Sequence, residues 1–201
     1  MVYSVDFPEV NHPFIQPLLQ LDDSTLVELL QSQPQKGKYL VTIFCRYHHK
    51  IIDLLTDFYS QEDIIIIALQ LWEKIAHLLF NFEITNLAKE VNSLHVWLLD
   101  YTIDTLSTGE LTISVGNSGN LDLRFFPLYF YTEKALSLLD DKQRLIIVLK
   151  DKFDWEDKQI ISYFQGKNQF INHDDIMHCY EGAHHQIINY LPVDIYSIYL
   201  C

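Results

Sequence analysis

The sequence predicts an all-α protein, and three observations carry that expectation. Apolar residues recur at three- and four-residue steps along most of the chain. Alternating strand patterns are scarce. One stretch, residues 107–120, breaks the helical texture: it holds Gly109, Gly116 and Gly119, three of the six glycines, among Ser, Thr and Asn. We read that stretch as a linker or long loop, with at most a short strand over Leu111–Val115. It divides the chain into a helical domain over 1–106, a linker over 107–127 and a second helical domain over 128–201.

The elements follow in order. Asp23 and Ser24 suit the start of a first helix running to Gln31, and Pro34 with Gly37 stops it. Leu40, Ile43, Phe44, Tyr47, Ile51, Leu54 and Leu55 share one face of a second helix, 38–58. Ser60-Gln61-Glu62-Asp63 is a capping-box-like start, with Asp in the Glu position, for a third helix reaching Leu79. A fourth fits 86–106, with Leu87, Val91, Leu94, Trp97, Leu98 and Tyr101 at helical steps. Helices resume near Tyr129; Asp154 suits the cap of 155–164, and Asn172 the cap of 173–190. Pro192 stops the last helix, and the apolar tail 193–201 is expected to pack on a core or a partner.

Bulk properties narrow the function. The chain has 201 residues, 49% of them apolar, enough for one large or two small cores. Its 14 Lys and Arg against 27 Asp and Glu give a net charge of −13. That field opposes nucleic acids and anionic membranes and favours a basic partner. The longest greasy run, Ile64–Leu71, is too short to span a bilayer. The start of the chain lacks the features of an export signal. Three cysteines, Cys45, Cys179 and Cys201, show no metal-type spacing and suit reduced thiols in a cytoplasmic protein. No local nucleophile signature and no phosphate-cradling glycine loop is present, so neither an enzyme nor a cofactor is expected. His178, Glu181 and His185 share a helix face, but a zinc site needs a fourth ligand.

Several pieces in fixed order carry a resemblance. Tyr39–Phe58 is an aromatic helix, followed by the acidic start Glu62-Asp63-Ile64 and a helix that reaches Trp72. Trp97-Leu98 comes next. Later stand Leu139-Asp140-Asp141-Lys142-Gln143-Arg144, then Ile160, then Ile176 and Ala183. This order resembles the extracytoplasmic-function sigma factors of bacterial RNA polymerase over most of residues 38–190. The resemblance matches E-D-L, the W-L segment, L-P-x-x-x-R with Asp140 in place of Pro, and the V and A of the recognition helix. It implies a region-two-like domain, a region-four-like helix-turn-helix domain and a role in transcription.

The departures from that family all concern function. The basic positions of its recognition helix fall on Met177, Cys179, Gly182, His184, His185 and Gln186, beside the acid Asp175. Residues 168–201 contain no Lys or Arg. Each phosphate neutralised contributes a salt slope of about 0.9, so a helix without fixed cations is a poor DNA reader. His173, His178, His184 and His185 are the only residues left that could bring positive charge to this helix. After Trp97-Leu98, the family's Arg and Asn positions become Asp100, Ile103 and Asp104. Single-stranded bases need cations as well as the rings of Trp97 and Tyr101. The polar clamp-contact pair falls on Ile66 and Ile67, within Ile64-Ile65-Ile66-Ile67. Four consecutive helical positions span the whole circumference, so at least one faces solvent or another chain. Arg46, His48, His49 and Lys50 make the one locally basic turn, read as a solvated helix face, with a remnant of the family's basic face or a partner contact as the alternatives.

The expected function is a sigma-like transcription regulatory protein that works by protein contacts, with DNA binding weak or absent. Its partner would be core RNA polymerase, a sigma factor or another regulator, met through Ile64, Ile65, Ile66, Ile67, Trp72 and Trp97. Two alternatives stay open. One is a working sigma factor using Lys142, Arg144, Lys150, Lys152, Lys158 and Lys167 for phosphates. The other is a helical module that self-associates into a homo-oligomer.

Overall fold

The computed structural model describes residues 7–81, 93–111 and 122–201, and among them all regular structure is helical. Its α-helices are α1 (Asp23–Ser32), α2 (Lys38–Thr56), α3 (Gln61–Leu79), α4 (Leu94–Thr108), α5 (Phe126–Ser137), α6 (Asp141–Ile147), α7 (Asp157–Gly166), α8 (His173–Tyr190) and α9 (Val193–Tyr199). They divide into two compact units, 1–130 with 193–201, and 131–192. The tail read with the second domain therefore groups with the first. Most of the expected linker, 112–121, and the expected first turns at 86–92 lie outside the described residues. Among those residues no helix is long and apolar enough to cross a membrane.

In the first unit α2 is the central element. Residues 39–45 are buried without interruption, which no amphipathic surface helix would allow. Helices α1, α3 and α4 and two 3₁₀ turns (Pro8–Asn11 and Gln16–Gln20) surround it. Phe44 meets Trp72 edge-on at 4.9 Å and Phe126 at 5.3 Å, so rings from α2, α3 and α5 form one aromatic core. The α1 cap is Asp22, one residue earlier than expected: it accepts the Thr25 N–H at 2.9 Å. At the basic turn the expectation of a solvated face holds for His49, which is exposed, and fails for Arg46 and His48. Arg46 donates to the carbonyls of Leu18, Leu19 and Leu21 and pairs with Asp23 at 2.7 Å, while His48 is buried against Phe7. Burial, then the neighbouring His49, pushes the His48 imidazole down to about 3, so it stays neutral.

Two ends were misplaced by the sequence pattern. Helix α4 begins only at Leu94, because Ser93 accepts the Val96 N–H at 3.3 Å. Pro192 separates α8 from a further helix rather than ending helical structure. Asp194 of α9 caps another helix: its two oxygens accept the N–H groups of Gly37 and Lys38, at 3.0 and 2.9 Å. Gly37 offers no side chain, so the start of α2 depends on a carboxylate far along the chain. Asp194→Ala should cost about 1 kcal/mol, the usual worth of a cap. Urea melts and proteolysis of the tail test this; an unchanged midpoint and an equally resistant tail would refute it.

In the second unit α6 and α8 pack most closely, over Ile146, Leu149, Ile160, Phe164, Ile171 and Ile176 and a smaller group of Leu139, Ile147 and Ala183. Helix α6 continues into a π-helical turn, Val148–Lys152, where Phe153 donates to the carbonyl of Val148 at 3.3 Å. Asp154 then adopts a left-handed backbone (φ 52°) and so cannot cap α7 as expected. Glu156 caps it instead, in a reciprocal box with Gln159. Asn172 caps α8 as expected, accepting the Asp175 N–H at 2.8 Å, and Asp175 answers with the Asn172 N–H at 3.1 Å.

Candidate functional site

Each sequence-predicted site residue now has a place. On α3 the buried positions are Ile64, Ile67, Ala68, Leu71, Trp72, Ile75, Ala76 and Leu79, a continuous helical stripe. Ile64 and Ile67 are core, and Trp72 is 0% exposed. None of the three can touch a partner while the unit is folded, which corrects their assignment to a contact surface. Ile65, 40% exposed, and Ile66, half-buried, remain outside with half-buried Leu69 one turn on. These three form the outward apolar patch that the circumference argument required. Trp97 is half-buried and stacks on Tyr101, ring centroids 5.6 Å apart.

Two cations of the second unit, Lys150 and Arg144, are paired with its own carboxylates. Lys150 lies 2.7 Å from Asp157 and 4.9 Å from the centre of the Tyr180 ring. His173 holds the other Asp157 oxygen. The Tyr180 hydroxyl donates to Asp151 at 2.6 Å, and His184, edge-on to the Tyr180 ring, lies 3.4 Å from the second Asp151 oxygen. One network thus joins the π-turn, the first turn of α7 and α8 from His173 to His184. Arg144 pairs with Asp141 at 3.1 Å. Lys167 sits over the Tyr163 ring at 5.9 Å. Lys142, Lys152 and Lys158 are exposed, with no carboxylate in pairing range among the described residues.

Along α8 the expected reading positions are not one solvent face. Ile176 is buried, Met177, Cys179 and Gly182 are half-buried, and Cys179 packs on the core. Asp175 is engaged in its cap and His184 in the network; His185 is exposed. A Cβ added at Gly182 would meet Gln143 Nε2 at 3.5 Å, an ordinary contact, so packing does not demand glycine there. Sequence reasoning missed the network because its partners, Asp151 and Asp157 on one side and His173, Tyr180 and His184 on the other, meet only in three dimensions.

The Lys150 hydrogen bond, with the nearby charges, holds the Asp157 carboxyl below the usual carboxylate range. A depressed folded value stabilises above the unfolded value, near about 4, and the gain disappears as pH falls through the folded value. Asp157→Asn should therefore flatten the acid limb of the unit's stability below about pH 4 while lowering the plateau at neutral pH. Urea midpoints measured at several pH values would check it; parallel acid limbs in both proteins would refute it.

Burial drives the Cys45 thiol up to about 12, so it is protonated at neutral pH and a poor nucleophile. Among the described residues no three His, Cys, Asp or Glu side chains converge as a metal site, and His178, Glu181 and His185 lie exposed along α8. A shallow hollow of about 510 Å³ lies on α7, lined by Trp155, Lys158, Gln159, Ser162 and Tyr163. No protein-family model, curated protein or solved structure matches the chain.

Proposed function

We propose that this chain is a sigma-factor-like transcription regulatory protein that acts by protein contacts, in the cytoplasm, with little affinity for DNA. The observation that carries the reading is the internal use of charge in the second unit. Lys150 and Arg144 are paired with carboxylates, and α8 has no Lys or Arg along its length. Phosphate neutralisation supplies most non-specific DNA affinity, and α8 itself offers no fixed cation for it. The contact surface on the first unit is the Ile65–Ile66–Leu69 patch of α3, where an apolar partner ridge would be covered. Core RNA polymerase, a sigma factor or another regulator is the partner class.

A second reading has one observation in its favour. Lys142, Lys152 and Lys158 are solvated and unpaired with acids among the described residues, as phosphate contacts in a working sigma factor would be. Three such contacts predict a salt slope of about −2.7, well short of a strong DNA binder. The deciding measurement is binding of the purified protein to core RNA polymerase and, separately, to promoter fragments at low and moderate salt. Polymerase binding that Ile65→Ser weakens, with promoter affinity negligible at moderate salt, is the expected result. Promoter binding with a slope steeper than about −5 would replace the proposal with a working sigma factor.

A further inference from the structure

Helix α4 buries two threonines and leaves part of its aliphatic surface outside. It buries Leu94, Leu98, Thr102 and Thr105. Both threonines can sit inside because their hydroxyls donate to carbonyls one turn back, Thr102 to Leu98 at 2.7 Å and Thr105 to Tyr101 at 2.8 Å. Val96, 39% exposed, and Ile103, 49% exposed, lie on the opposite side, with half-buried Leu99 and Leu106 beside them. Their spacing of three, four and three residues makes a single helical stripe. From Val96 to Leu106 it runs about 15 Å, the length over which two helices cross and pack.

Charge selects the occupant. Asp100 and Asp104 are exposed along one edge of the stripe. No Lys or Arg occurs from Glu90 to Asp122. A second copy would bring the same acidic edge against this one in a chain already at −13, and an anionic membrane would be repelled likewise. We infer that the outer face of α4 is a docking surface for an amphipathic helix of another protein, apolar along one stripe and lined with Lys or Arg along the adjoining edge. The apolar stripe provides burial, and Asp100 and Asp104 set partner choice and orientation. This surface is separate from the α3 patch and does not depend on polymerase binding.

The test uses the full chain and two synthetic helical peptides of about 18 residues. Both carry a Leu stripe; one has Lys along its edge and the other Glu. Fluorescence anisotropy should show the Lys-edged peptide binding at least about tenfold tighter. Ile103→Ser should weaken it about tenfold, and Val96→Ser repeats the test from the other end of the stripe. Asp100→Lys with Asp104→Lys should reverse the preference between the peptides. All four substitutions are at exposed positions, and thermal melts confirm that each variant is folded. Binding of neither peptide, equal binding of both, or Lys-edged binding indifferent to Ile103→Ser and Val96→Ser would overturn the inference. So would self-association that Ile103→Ser abolishes, since it would assign the stripe to a second copy.

Discussion

Trp72→Ala is expected to lower the stability of the first unit by about 3–5 kcal/mol, the range for truncating a fully buried aromatic. A domain's whole stability is about 5–15 kcal/mol, so a large part of it would be lost. The indole is fully enclosed, edge-on to Phe44 at 4.9 Å and near Phe126 at 6.0 Å, and removing it empties the meeting point of α2, α3 and α5. Its Nε1 is buried with no hydrogen-bond partner among the described residues. Trp72→Phe should accordingly cost much less than Trp72→Ala: part of the ring volume stays, and an unsatisfied donor goes. Chemical denaturation followed by far-UV circular dichroism reads both. A Trp72→Ala protein with an unchanged midpoint but a lost partner would mean that the residue serves a contact surface after all.

That contrast marks where the sequence stopped being legible. The start of α8 and the extents of α2 and α3 could be read because their information is local: the Asn172–Asp175 box, a breaking glycine, an unbroken apolar period. The period also showed that Ile64–Ile67 must wrap α3. It could not show which two turn outward, because that depends on where α2 lies. On α4 hydropathy pointed the wrong way. Trp97 and Tyr101 look like core and Thr102 and Thr105 like surface, yet a threonine whose hydroxyl bonds back to its own helix is cheaply buried. The π-turn and the left-handed Asp154 have no pattern signature, so the sequence points to Asp154 as the cap of α7, two residues before Glu156.

Charge was legible as a total and illegible as an arrangement. The sequence shows that cations stop at Lys167, which is the main support for weak DNA binding. It does not show that Lys150 is held by Asp157 and faces Tyr180, nor that Asp194 serves the start of α2. Such pairings join residues that are distant in sequence, and only the packed fold selects them.

Arg46→Leu is the second large effect, and it separates a fold role from a binding role at the basic turn. The guanidinium spans three carbonyls at 3.3, 3.0 and 2.8 Å and one Asp23 oxygen at 2.7 Å; Asp23 also accepts from the Tyr47 hydroxyl at 2.7 Å. Removing it takes a donor from all three carbonyls, of which Leu18 keeps the Leu21 N–H, and leaves Asp23 with a half-satisfied charge. Breaking a buried pair costs about 3–5 kcal/mol. Here Arg46 and Asp23 keep 19% and 20% of their side-chain surface in solvent, so screening lowers the expectation to about 2–3 kcal/mol. A double-mutant cycle with Asp23→Leu should return a coupling of about 1–2 kcal/mol, because the second substitution removes the charge that the first left unpaired. Urea midpoints of the four proteins supply the cycle. Additive losses would mean that the carbonyl contacts, and not the ion pair, hold the turn. A full-stability Arg46→Leu protein that no longer binds its partner would return this arginine to the surface role its neighbours in sequence suggest.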